Sequence, residues 1–71
     1  MLSAKEKAVL RLIAQGESDE RIRQKLNLDD EGFRSSLDEL YREIGVKERL
    51  ELIFFACSEE GRFLLEAREA A

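Results

Sequence analysis

Glu31, Arg34, Ser35, Asp38, Glu39 and Arg42 are spaced so that a helix would carry them together on its outward face. Such a face could read a pattern of hydrogen-bonding groups. The guanidinium of Arg34 can grip a guanine edge with two donors, and a carboxylate can accept from cytosine. Several carboxylates near phosphates have the opposite effect, because they remove the counterion release that supplies most non-specific affinity for nucleic acid. Hydroxyls and amides at a helix start often hold phosphate, but Asp29 and Asp30 put anions there. Arg34 has a second reading, as the partner of Asp30 or Asp38, each four residues away. Both readings stay open at this stage.

The charge is concentrated in this stretch. From Asp29 to Gly45 six acids (Asp29, Asp30, Glu31, Asp38, Glu39, Glu43) stand against Arg34 and Arg42. That leaves the segment at −4, the net charge of the whole chain, so the remaining residues balance. Nucleic-acid-binding domains are as a rule basic.

Other chemistry has little to work with. The chain has no histidine and one cysteine, which excludes an internal disulfide and a cysteine-based zinc site. No nucleophile is paired with a base, and Asp29-Asp30-Glu31 lacks the ligand spacing of a calcium loop. Cys57 falls on an apolar stripe and reads as packing rather than as a reactive thiol. Neither an enzyme nor a cofactor, metal or small-molecule site is expected. The sequence also lacks a signal-peptide pattern and any apolar run long enough to span a bilayer, so a cytoplasmic protein without a membrane partner is expected.

The elements that would position these residues are helices. The chain has 71 residues, no proline and 39% charged residues, a composition that favours an all-α fold in one small domain. Ser3 and Glu6 form a capping box ahead of Val9, Leu12 and Ile13, and Gly16 is a stop signal, giving a helix over 4–15. Ser18 can cap a second helix near 19–26, closed by Asn27, a residue that tolerates left-handed backbone. Asp29 can cap a third helix, whose Phe33, Leu37, Leu40, Tyr41 and Ile44 form the inner face and which Gly45 ends. Short helix, tight turn and longer helix make a helix-turn-helix. A fourth helix runs from about Lys47 with two apolar stripes. One is Leu50, Ile53, Phe54 and Cys57; the other is Leu52, Phe55 and Ala56. A helix apolar on two sides needs two partners. One side can pack on the domain, and the other reads as a dimer surface unless the chain's own tail covers it. Residues 58–71 form a helix-prone tail that either continues the fourth helix or breaks at Gly61 and folds back.

The run from Leu2 to Cys57 resembles the LuxR/GerE-type helix-turn-helix domain of bacterial transcription regulators. Leu2-Ser3, Glu6, Val9-Leu10, Ala14-x-Gly16, Ser18, Ile22, Leu26, Leu28, Gly45-Val46, Arg49 and Leu52 carry the likeness by recurring in order at the right spacing. The resemblance implies a four-helix domain over 1–57 with a helical C-terminal extension over 58–71. In it the third helix enters the major groove of double-stranded DNA and the fourth forms the dimer. It assigns DNA contacts to Arg34, Ser35, Ser18, Lys47 and Arg49, and a dimer interface to Leu50, Ile53, Phe54 and Cys57. The chain departs from the family at Asp29, where a Ser or Thr usually opens the third helix, and at Glu31, where a base is common. Gly32-Phe33 replaces Thr-Val, Ser36 a frequent histidine, and Arg23 a small alanine. The expected function is therefore a transcription regulator, acting as a homodimer or a heterodimer with a related regulator. The alternative is a degenerate domain of the same fold that binds protein or inhibits its relatives. The domain starts at Met1 with no receiver or ligand domain ahead, which fits a stand-alone regulator, an excised fragment or such an inhibitor.

Overall fold

In a computed structural model, which describes residues 2–66, the chain is all helical. Five helices run in order, α1 (Ala4–Ala14), α2 (Asp19–Leu26), α3 (Asp30–Ile44), α4 (Arg49–Cys57) and α5 (Glu59–Glu66). Helix α1 is the hub and packs against each of the other four. Its Val9, Leu10 and Ile13 meet Ile22 from α2, Phe33 and Leu40 from α3, and Leu52 and Ala56 from α4 in one core.

The helix starts follow the sequence closely. The Ser3 hydroxyl accepts from the Glu6 amide at 3.1 Å, and the Ser3 amide donates to the Glu6 carboxylate at 3.0 Å. The carboxylate of Glu6 is thereby satisfied although the residue is buried. Ser18 caps α2 by accepting from Arg21 N–H, and the carboxylate of Asp29 caps α3 by accepting from Gly32 N–H at 2.7 Å. The ends also follow. Gly16, Asn27 and Gly45 all sit at positive φ, where the chain leaves a helix and its last carbonyls find partners. In the first of these turns Glu17 N–H reaches Leu12 C=O at 3.1 Å, and in the second Leu28 N–H reaches Arg23 C=O at 2.8 Å.

Two expectations shift. Helix α4 starts at Arg49 rather than at Lys47, because the Glu51 carboxylate accepts from both the Lys47 and the Glu48 amides, each at 3.0 Å. Those two residues serve as its cap and lie outside its first turn. The tail does fold back, but at Ser58 instead of Gly61. The Ser58 hydroxyl donates to Phe55 C=O at 2.6 Å and accepts from Gly61 N–H at 3.1 Å, ending one helix and capping the next. Gly61 lies inside α5, buried against the end of α4, where a Cβ would stand 1.8 Å from the Phe55 carbonyl oxygen. Helix α5 packs on α4 and α1, buries Leu65, and is tied by Arg11, whose guanidinium donates to Leu65 C=O. Residues 67–71 of the expected extension lie outside the described residues.

The two stripes of α4 separate as the pattern implies. Leu52 and Ala56 are buried and Phe55 packs partly on the core. Leu50 and Phe54 remain 57% and 66% exposed, and Cys57 is exposed beside them in the same stripe. Ile53 differs from its stripe neighbours, since it is half-buried against the domain's own core. Residues 58–66 therefore leave most of that stripe uncovered.

Candidate nucleic-acid interface

The outward face of α3 is built as the periodicity requires. Phe33 and Leu40 are buried, with Leu37, Tyr41 and Ile44 packed against the same core. Ser36 is also buried, at a small polar position on the inner side of the helix. Glu31, Arg34, Ser35, Asp38, Glu39 and Arg42 are all exposed. This single surface presents one hydroxyl and two guanidiniums among three carboxylates.

Ion pairing decides what that surface offers. Among the described residues none pairs with Arg34, Glu31, Asp38 or Glu39. Asp30, a partner the spacing offered to Arg34, is instead bound by Arg23 of α2. That bond ties the start of α3 to α2 and leaves the Arg34 guanidinium free. The cations of α2 are otherwise engaged by Glu17, which accepts from Lys25 at 2.9 Å and meets Arg21 at 3.7 Å. Its hydrogen bond with Lys25, aided by the charges of Lys25 and Arg21, holds the Glu17 carboxyl below the usual carboxylate range against an opposing desolvation. The cations of α2 thus face Glu17 and Asp30, while Glu31, Asp38 and Glu39 of α3 face solvent.

The start of α3 is closed to a phosphate. The Gly32 amide already donates to the Asp29 carboxylate, so this capping position is taken by an anion of the chain itself. A second anion would meet the Asp29 carboxylate.

The remaining expected contacts lie at other helix starts. Ser18 is the exposed N-cap of α2, with its hydroxyl engaged by the Arg21 amide. Arg49, the first residue of α4, pairs with Asp19 at 2.6 Å, and so joins the start of α4 to the start of α2 just beyond Ser18. Lys47 is exposed in the loop before α4 and has no ion pair among the described residues. The structure therefore brings Ser18 and Arg49 to one edge and leaves Arg34 and Ser35 on the α3 face. The pairs Arg23–Asp30 and Arg49–Asp19 were not legible in the sequence. Their partners lie outside helical spacing, and only the packing of α2 on its neighbours brings them together.

Among the described residues no group of histidine, cysteine and carboxylate side chains could hold a metal ion, and no helix is long and apolar enough to cross a membrane. No match is found among curated proteins or among solved structures. Residues 1–56 match the family described as GerE, "Bacterial regulatory proteins, luxR family", a span that takes in α1 to α3 and all of α4 but Cys57. Since that match covers most of the chain and the helix-turn-helix of α2 and α3 stands where its residues require, the protein belongs to the LuxR family of bacterial regulatory proteins.

Proposed function

We propose that the chain is a transcription regulator that binds double-stranded DNA as a dimer, with α3 in the major groove and α4 at the dimer interface. The observation that carries this reading is the free guanidinium of Arg34 on the exposed face of α3, next to Ser35, in a domain of a DNA-binding family. In this reading Arg34 and Ser35 read base edges, while Ser18, Lys47 and Arg49 hold phosphates and fix the register. Leu50, Phe54 and Cys57 form the contact between protomers, with Ile53 at its inner margin. Residues 1–57 are the DNA-binding domain and residues 58–71 its extension. The protein acts in the cytoplasm and has no enzymatic step of its own.

A second reading is favoured by a different observation. Glu31, Asp38 and Glu39 stand uncompensated around Arg34, and the start of α3 is occupied by acids. A face of that charge suits a degenerate helix-turn-helix that binds protein, pairing with a regulator or inhibiting it.

A fluorescent duplex of mixed sequence, titrated at low and then at higher salt, separates the two. Lys47 and Arg49 from two protomers would neutralise four phosphates, and the slope of log affinity against log salt should then be roughly −3.6. Absence of binding at low salt, with the dimer confirmed by sedimentation, would reject the DNA reading in favour of the second. Restoration of binding by Glu31→Lys with Asp38→Asn would then identify charge, with the fold intact, as the cause.

A further inference from the structure

We propose that the groove where α1, α4 and α5 meet is a binding site for a small amphipathic carboxylate, whether or not α3 binds DNA. The groove has a volume of about 490 Å³, within the range of small-molecule sites. Ala14, Ala56 and Leu65 supply apolar walls, Cys57 stands at the end of α4, and the charged members are Arg11 and Arg62.

The distribution of charge points to an anion. Acids outnumber bases in the chain by 16 to 12, yet none of the described residues that line this groove is an acid. A smaller groove of about 260 Å³ beside α3 shows the contrast, with Glu6, Glu39 and Glu43 among its lining residues. The two arginines differ in what they have left to offer. Arg11 is held in place by its bond to the Leu65 carbonyl, so its charge is fixed at the groove at little further entropic cost. Arg62 is exposed and has no ion pair among the described residues, so its guanidinium is free for a carboxylate. An apolar tail against Ala14, Ala56 and Leu65 with its carboxylate on Arg62 satisfies both halves of the site. Arg62 and Leu65 lie beyond residues 1–56, so the site depends on α5, outside the family match.

The test is an NMR titration of the full chain with octanoate, and with octanol as the uncharged probe of the same length. Octanoate should shift the amides of Ala14, Gln15, Ala56 and Cys57. Octanol should bind about tenfold more weakly or worse, the worth of one charge-assisted hydrogen bond. Arg62→Gln should weaken octanoate by a similar factor and leave octanol unchanged. Arg11 is not the residue to replace, since it holds α5. Equal binding of the two probes would overturn the proposal, as would shifts centred on Leu50, Phe54 and Phe63, or none at millimolar octanoate. An acidic amphipathic peptide that shifts the groove amides where octanoate does not would overturn it in favour of a protein partner.

Discussion

Replacing Gly61 by alanine sets two physical rules against each other. Helix propensity alone says that Gly→Ala inside a helix stabilises by about 1 kcal/mol. The packing of α5 says the reverse. The new Cβ would stand 1.8 Å from Phe55 O, 2.7 Å from Phe55 C and 3.0 Å from Ala56 Cα, all backbone atoms of α4. No side chain can turn away to make room, so α5 must leave its seat. The cost is then bounded by what the docked helix contributes. Burial of Leu65, which is 8% exposed, is worth about 2 kcal/mol. The bond from Arg11 to the Leu65 carbonyl, at a partly exposed site, adds roughly 1 kcal/mol. Undocked, a helix this short does not persist in water, so the propensity gain of alanine is lost with it. The expected loss is about 2–3 kcal/mol, or roughly 10–20 °C in melting temperature for a domain of this size. Urea denaturation followed by circular dichroism measures it, and hydrogen exchange should show the amides of α5 losing protection while those of α1 to α3 keep theirs. A Gly61→Ala protein as stable as the parent, or more so, would refute the close seat of α5 on α4.

Three further outcomes follow from particular contacts. Ser3→Ala removes the hydroxyl that accepts from Glu6 N–H and should cost about 1 kcal/mol in denaturant unfolding; an unchanged midpoint would mean the capping box is not formed. If the parent sediments as the proposed dimer, Phe54→Lys, which puts a charge in the centre of the exposed α4 stripe, should leave monomers with an unchanged helix content; a parent that is itself monomeric, or a variant that stays dimeric, would refute the proposed interface. The third concerns acid. A carboxyl held below its ordinary value in the folded state adds stability that is fully present above that value and is lost as pH falls through the folded one. Glu17 is such a group, through Lys25 first, so stability should be flat in this respect near neutrality and decline below about pH 4.5. Glu17→Gln should make that decline shallower in pH-dependent unfolding; an identical acid profile would show that the Lys25 bond does not persist in solution.

Most of the fold was legible because its signals are local. Ser3 with Glu6, Ser18, Asp29, Gly16, Asn27 and Gly45 act within one helical turn, and each stands where its residue type implies. The inner and outer faces of α3 follow from a single period, since one turn of helix settles which side chains share a face. The start of α4 was less legible, because Glu51 reaches back to two amides and turns Lys47 and Glu48 into a cap. Arg34 was legible in position but open in role. Spacing offered it two acids; Arg23, a residue of another helix, takes Asp30 for itself, and Asp38 stays unpaired among the described residues.

The sequence by itself determined the helices, the helix-turn-helix they make, and the acidic outer face of α3, because caps, period and charge are properties of neighbouring residues. Tertiary structure alone decided which charges on that face go uncompensated and where the tail turns back. Gly61 reads as a helix breaker in one dimension, and is instead a point of close contact because the backbone of α4 lies against it. Ile53 shares a period with Leu50 and Phe54, yet the core of its own domain half-covers it. Such outcomes depend on which distant surfaces meet, and that is set by packing around α1 and not by the order of residues within any one helix.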